Sequence, residues 1–360
     1  MSSSFGNSIK ISLFGQSHSE GIGVVIDGLP AGKKLNFEEI TRFLARRAPG
    51  GGVLTTARSE KDRPHILSGL VDGTTCGAPL CAVFINGDAH SADYDAFREV
   101  PRPAHADYPA HVKYGGFNDI RGGGHFSARL TAPLCFAGAV CAQLLREEGI
   151  EIAAHIASIG GIEDSRFSPA DVTGVELQKL RAKVNPVLDD GIFESMCMEI
   201  LSAKEAGDSV GGTVECCVTG LPVGIGEPIF DGLENKIAAA AFAIPAVKGI
   251  EFGNGFECAA LRGSQNNDPF YFDGGSVKTR TNNCGGIQGG LSNGMPLIFR
   301  LAFKPTPSIA LEQDSVNLSS KQNVKLTVEG RHDPCVVLRA VPCVEAAAAI
   351  AVYDLFRSGV

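Results

Sequence analysis

The sequence predicts an α+β fold built in layers. Segments with apolar residues at every second position and segments with helical spacing neither alternate strictly nor separate into halves, which disfavours a doubly wound sheet. One segment, 134–145, is apolar nearly all round and predicts a helix buried on most faces. No internal repeat and no low-complexity linker divides the 360 residues.

In chain order, 8–14 and 23–29 read as strands joined by the loop Gly15-Gln16-Ser17-His18-Ser19-Glu20-Gly21. Phe37, Ile40, Phe43 and Leu44 recur at helical spacing, so 37–47 is a helix; Arg46-Arg47 sit favourably at its C-terminus, before Pro49. A charged loop, 58–63, leads to short strands at 66–71 and 80–85. The stretch 86–119 has little periodicity and many turn residues, and a connection of that length points to a functional loop. Arg121-Gly122-Gly123-Gly124-His125-Phe126-Ser127-Ala128-Arg129 follows, feeding a helix over 127–148 with Pro133 in its first turns, where proline is tolerated. Next come a strand at 150–159, a more polar, peripheral region over 163–202 with helices at 174–184 and 191–205, and a strand at 211–220. An alanine-rich helix at 235–243 is stopped by Pro245. Residues 251–273 and 282–294 are glycine-rich loops, 297–302 and 324–328 strands, and 343–356 a closing alanine-rich helix.

Composition excludes several classes. A net charge of −8 and a pI near 5.5 argue against general nucleic-acid binding, so an anionic ligand must be held by a local cationic pocket. No apolar run approaches the ~18 residues of a membrane span, and the first fifteen residues lack the apolar core of a signal peptide. The eleven cysteines are odd in number, lack C-x-x-C spacing and lie mostly in apolar runs. Reduced, buried thiols in a cytoplasmic protein are expected.

Three glycines remove every Cβ from 122–124, so a ligand can approach the peptide N–H groups closely. N–H groups at a helix start, between Arg121 and Arg129, form an anion site; a glycine-rich turn feeding a core helix is the plainer alternative. Arg46-Arg47, Arg102, Arg121 to Arg129, and Arg331 lie beside Gly, Pro or His. If several converge, they suit a small ligand carrying phosphate and carboxylates, because guanidinium groups bind such oxygens bidentately. His18, His105 and His332 lie in turn-like settings and are candidate acids or bases. His18, His105 and Asp333 could instead ligate a metal, but neither H-x-x-x-H nor H-E-x-x-H occurs. Lys304 to Ser308 combines a cation, two hydroxyls and two shape-fixing prolines, a plausible phosphate clamp or a strand-edge turn. Neither G-x-G-x-x-G between strand and helix nor G-x-x-x-x-G-K-[ST] is present. The residues alone indicate an enzyme for a small anionic substrate, with His and Asp proton chemistry.

At these positions the chain resembles the chorismate synthase family. The resemblance rests on Phe14 to His18 with Asp27 to Gly32, Arg46 to Gly50, Arg102 to Tyr108, Arg121 to Arg129, Gly263 to Asp268, Gly285 to Gly294, Lys304 to Ser308, and Gly330 to Cys335, in the family's order. It implies one domain over 1–360, a layered β-α-β sandwich with antiparallel sheets around central helices, and a homotetramer. It implies 1,4-anti elimination of phosphate from 5-enolpyruvylshikimate 3-phosphate to chorismate, using reduced FMN without net redox change. His18, His105 and Asp333 would be catalytic, and Arg47, Arg102, Arg129 and Arg331 would hold the substrate. FMN would lie along His125, Phe126, Ser127, Gly289, Lys304, Pro305, Thr306, Pro307, Ser308 and Arg331; Arg47 matches a position linked to NADPH. Neither nucleic acid nor membrane is implied as a partner.

Several residues depart from the family's commonest motifs. Gln16 stands for a usual Glu, Ser19 and Ala104 for usual glycines, Val53 for an Arg, and His125-Phe126 for Arg-Ser. A catalytically silent binding protein that keeps FMN and substrate is the alternative these departures raise.

Overall fold

The computed structural model describes residues 3–49, 52, 54–55, 60, 62–87, 91–328 and 333–359. Its first sheet has five antiparallel strands: β1 (Ser4–Phe5), β2 (Lys10–Gly15), β3 (Gly21–Asp27), β4 (His65–Ser68) and β5 (Leu80–Ile85), in the order β1-β2-β3-β5-β4. Register explains its buried face. Ile11 pairs with Ile26 and Ile26 with Leu80; Leu13 pairs with Val24 and Val24 with Ala82. One face therefore carries rows of apolar side chains.

The second sheet is also antiparallel. It contains β6 (Glu151–Ile159), β7 (Ile162–Glu163), β8 (Gly212–Thr219), β9 (Val247–Phe252) and β10 (Leu297–Phe303), in the order β9-β10-β8-β6-β7. Ala154, Cys216 and Phe299 form one buried row, and Ile152, Val218 and Leu297 another. The opposite face is covered too: Ala153, Cys217 and Ile298 pack with Leu177 and Leu180 of helix α4 (Gly174–Ala182). Burial on both faces is why these strands read as apolar runs rather than as clean alternation.

Between the sheets lie α3 (Thr131–Glu147) and α7 (Val337–Ser358), with α1 (Phe37–Arg47), a short α2 (Asp107–Lys113), α5 (Phe193–Glu205) and α6 (Leu233–Ala241) completing the helices used below. α3 packs on the first sheet and on α7, and α7 on the second sheet, which is the layered α+β arrangement. The two helices approach so closely that a Cβ on Gly138 would lie 2.2 Å from the Ala346 Cβ. The alanines 346–349 supply the matching small surface. Near the end of α7, the buried Asp354 carboxylate accepts backbone N–H bonds from Asn7, Ser8 and Ile9, tying the N-terminal segment down.

α1 spans the expected residues. Asn36 caps it by accepting from the N–H groups of Glu38 and Glu39. The structure differs from the sequence reading at three elements. The helix expected from 127 starts at Thr131, because the preceding glycines adopt left-handed backbone and two short 3-10 turns intervene. α7 begins at Val337 and carries Pro342 inside it. The glycine-rich stretch after 251 holds a small hairpin, Phe270–Asp273 with Ser276–Thr279, whose outward faces mask the strand pattern. α3 with its lead-in turns is long and apolar enough to cross a membrane by length and composition, contrary to the run-length reading, but 89% of its most apolar window is buried as core.

Candidate active site

One cavity of about 560 Å³ gathers most of the residues singled out: Arg47, Arg102, His105, Arg129, Lys304 and Asp333 line it, with Phe126, Ser127, Thr306, Pro307 and Ser308. Helix periodicity decides which arginine of the first pair belongs there. Arg47, the last residue of α1, donates from Nη2 to Asp62 Oδ2 at 2.6 Å and from Nη1 to Thr131 Oγ1 at 3.1 Å. Arg46 points about 100° away round the helix and makes two bonds, of 2.6 and 2.8 Å, to the buried Glu345. Arg46 is thus a core ion-pair residue.

Arg129 ends the glycine-rich stretch. Its Nη1 donates to Asp62 Oδ1, its Nε donates to Asn86 Oδ1 at 3.1 Å, and Glu60 lies 3.7 Å from Nη2. Burial lowers its pKa; Asp62 opposes that and Arg47 adds to it. Arg121, at the other end of the stretch, is bonded to Asp119 at 2.8 and 2.9 Å and does not line the cavity.

Arg102, His105 and Asp107 form a tight unit at the start of α2. Arg102 donates from Nε and Nη2 to the two Asp107 oxygens at 2.8 and 2.9 Å, and its backbone N–H donates to Oδ2 at 3.1 Å. His105 Nδ1 lies 2.6 Å from Asp107 Oδ1. Arg102 Nη2, a donor, also approaches the same nitrogen at 3.1 Å, but a carboxylate only accepts and its contact is the shorter, which places the hydrogen on Nδ1 and leaves Nε2 for the cavity. Burial works against an ionised Asp107, yet the hydrogen bonds from Arg102 and His105 prevail and hold its pKa far below the usual carboxylate range. Phe97 stacks over the Arg102 guanidinium at 4.6 Å.

The three glycines serve these histidines. A Cβ on Gly122 would lie 2.5 Å from His18 Cδ2, and one on Gly123 would lie 3.3 Å from His105 Nε2. Their φ values are +59° and +83°. The run thus lies against two imidazole rings, where a Cβ would intrude, and the helix begins later than expected. His18 stands behind Gly122, edge-on to Tyr94 at 5.0 Å, and is not itself a lining residue.

Asp333 accepts from Arg339 Nη1 at 2.6 Å, and Arg339 Nε donates to the Arg47 carbonyl at 2.9 Å. Lys304 has no carboxylate within ion-pair distance among the described residues and donates to the Ala104 carbonyl. Burial, with Lys248 nearby, lowers its pKa. The Thr306 hydroxyl is buried without a hydrogen-bond partner among the described residues. Ala104 has φ +56°, a left-handed conformation that favours glycine.

Other expected contacts are not brought to this cavity. His125 bonds the Gly15 carbonyl at 2.8 Å and lies 2.9 Å from Ser3 Oγ, facing an adjoining cavity of about 1270 Å³. Gly289 sits in the turn between Ile287–Gln288 and Leu291–Ser292, away from the lining. Pro305 is exposed and is not a lining residue. Arg331, His332 and Val53 lie outside the described residues. Sequence reading missed Asp62, Glu60, Asp107 and Arg339 as partners. The segment 58–63 reads in the sequence only as a charged loop, whereas the side chains of Glu60 and Asp62 are 4% and 1% exposed.

The arrangement offers cations for several anionic groups, an oriented imidazole and a carboxylate in one space. Among the described residues no group of three or more His, Cys, Asp and Glu side chains is placed to hold a metal ion. The family model for chorismate synthase matches residues 9–356. A chorismate synthase from Dehalococcoides mccartyi is 47% identical over 361 residues, covering 100% of this chain and 98% of that protein. One from Thermococcus kodakarensis is 47% identical over 350 residues, covering 97% and 96%. A crystal structure of chorismate synthase superposes with a TM-score of 0.78 at 29% identity, covering 99% of this chain and 93% of that one.

Proposed function

The chain belongs to the chorismate synthase family, and from that premise we propose that the cavity lined by Arg47, Arg102 and Arg129 is its active site. The activity is the family's: a carbon–oxygen lyase step in the shikimate pathway, in which 5-enolpyruvylshikimate 3-phosphate loses phosphate and a ring hydrogen to give chorismate. One observation carries the assignment. Cations from five separate segments, Arg47, Arg102, Arg129, Lys304 and Arg339, converge with His105 and Asp333 on a single cavity, as a substrate with a phosphate and two carboxylates requires.

Arg47, Arg102 and Arg129 bind and orient the anionic groups, joined by Arg331. His105 is held with its hydrogen on Nδ1 by Asp107, so that Nε2 exchanges a proton at the cavity wall. Asp333 is the carboxylate base, oriented by Arg339. His18 stabilises charge near the departing phosphate from behind Gly122.

The residues also fit reduced FMN. Lys304, with no carboxylate partner among the described residues, the Thr306 hydroxyl, unpartnered among them, Ser308 and Ser127 suit a phosphate-bearing ligand, and Phe126 offers an apolar wall. When bound, reduced flavin supplies the transient electron donation that assists phosphate departure and takes up the ring hydrogen. In this reading Gly289, Pro305 and His125 act from the neighbouring surface rather than the cavity lining. NADPH as reductant near Arg47, a homotetramer, a single domain over 1–360 and a cytoplasmic location complete the proposal. The eleven free cysteines agree with a reducing compartment.

The test is an anaerobic assay with dithionite-reduced FMN, following chorismate absorbance and phosphate release together. Stoichiometric appearance of both, absent with oxidised FMN, is expected. Well-folded protein that binds substrate and flavin without releasing phosphate would select the silent binding protein instead.

A further inference from the structure

Arg47 and Arg129 reach the cavity from segments far apart in the chain, yet a single side chain joins them. Asp62 Oδ2 accepts from Arg47 Nη2 at 2.6 Å, and Asp62 Oδ1 accepts from Arg129 Nη1. Each carboxylate oxygen takes one guanidinium. The Asp62 side chain is 1% exposed and is absent from the cavity lining, whereas both arginines line it. The carboxylate therefore stands behind the wall and does not occupy the substrate's place. Arg47 Nε is buried with no partner among the described residues, a donor left over for a ligand. The backbone at Asp62 is left-handed, φ +44°, a conformation that aspartate and asparagine adopt more readily than other side-chain-bearing residues. That placement is held against local preference, as at sites where geometry serves function.

We propose that Asp62 is a positioning residue for substrate binding: from behind the cavity wall it fixes the separation and orientation of Arg47 and Arg129, so that their remaining N–H groups form one preorganised anion-binding edge. The inference rests on reading this cavity as the active site. Two opposed consequences follow from removing its charge. The cavity becomes more positive, which favours any anion. The two guanidinium groups lose their common anchor, which penalises the one ligand whose oxygens must meet both at once.

Asp62→Asn is the discriminating variant, because asparagine keeps the size and tolerates the left-handed backbone while removing the charge. In the wild-type enzyme, turnover of 5-enolpyruvylshikimate 3-phosphate with reduced FMN is measured first; its absence would count against the active-site reading, not against Asp62. In the variant, kcat/KM is expected to fall at least about tenfold, mainly through KM. Competitive inhibition by inorganic phosphate should tighten about threefold or more. Opposite movements are the signature of lost positioning with gained charge. A residue that merely supports folding would lower kcat with the folded fraction and leave KM and the phosphate inhibition constant unmoved; that outcome overturns the proposal, as does parallel tightening of both ligands. If Asp62→Asn does not fold, Asp62→Glu keeps the charge and displaces it by one methylene. Raised KM with unchanged phosphate inhibition then supports positioning, and an unchanged KM refutes it.

Discussion

Replacing Asp107 with asparagine tests the best-defined unit of the site. The carboxylate accepts from Arg102 Nε, Arg102 Nη2, the Arg102 backbone and His105 Nδ1. Its side chain is 4% exposed and that of Arg102 is 3% exposed, so solvent screens the pair little. Asparagine keeps one acceptor oxygen but turns an NH2 group toward donors and leaves a buried guanidinium without its counter-charge. Breaking a buried pair in this way costs about 3–5 kcal/mol. At an unfolding entropy of about 2.1 cal/mol/K per residue, this chain loses roughly 1.3 °C of Tm per kcal/mol, so a fall of about 4–7 °C is expected. Asp107 has a lowered folded pKa, so its stabilisation is present above the unfolded value of about 3.9 and is lost as pH falls through the folded one. The wild-type advantage should therefore persist at neutral pH and shrink only in strong acid. For catalysis, loss of a fixed Nδ1–H frees the His105 ring, and kcat should drop by about 10²-fold. Differential scanning calorimetry with the reduced-FMN assay reads both. Turnover within threefold of wild type in a folded variant would show that Asp107 does not orient His105.

Other perturbations separate structural from functional parts. His155 is buried between Asp164 and Glu215, 3.0 Å from each, on the second sheet. Burial lowers its pKa, but the two carboxylates prevail and raise it, while His155 helps lower theirs against their own burial. Its contribution is full below about pH 6.5 and lost as pH rises through its folded pKa; the carboxylates contribute above about pH 4.5 and lose that on acidification. The His155→Gln penalty, about 3 kcal/mol, should peak between those values in denaturant titrations; a penalty independent of pH would argue against the ion pair. Gly138→Ala gains about 1 kcal/mol of helix propensity but forces a Cβ to 2.2 Å from Ala346, so net destabilisation is expected by chemical denaturation. Ala104→Gly relieves about 1–2 kcal/mol of left-handed strain against about 0.5–1 of glycine entropy and should leave stability equal or slightly higher. Lys304→Ala should weaken FMN binding at least about tenfold, read by flavin fluorescence, with unchanged Tm.

The fold was legible where independent physical signals agreed. The 37–47 helix had apolar spacing and terminal arginines in agreement, and it appears with those bounds, its Asn36 cap added by the structure. The helix start after the glycines was not, because Ser127 and Thr131 are both acceptable openings and only the left-handed glycines decide between them. Of the paired strands Gln313–Asn317 and Gln322–Leu326, the second reads two residues late, as 324–328, and the first carries mostly polar side chains that give no alternation to read. For the site, residue types pointed to Arg47, Arg102, Arg129, His105, Lys304 and Asp333, which do converge. Their carboxylate partners were not legible. Aspartate and glutamate in a charged loop look alike whether solvated or buried, and only tertiary placement shows that Asp62 lies inside.

That placement explains how an acidic chain can offer a site for a polyanion. Arg47 and Arg129 share Asp62, with Glu60 3.7 Å from Arg129, and Arg102 and Arg339 pair with Asp107 and Asp333, so the cavity carries little surplus charge among the described residues apart from Lys304. Affinity then has to come from the directions of donor N–H groups already fixed in place, not from a strong local field. Arginine is required for this, since one planar guanidinium can bond a supporting carboxylate with some N–H groups and present others to a ligand, whereas an ammonium is a point charge. Arg129→Lys should accordingly behave as a severe change: lysine cannot bond Asp62 and Asn86 and still present oriented donors. A fall in kcat/KM of about 10²-fold is expected, close to that of Arg129→Gln. Lysine restoring most of the wild-type value would show that charge alone suffices and that the fixed geometry is incidental.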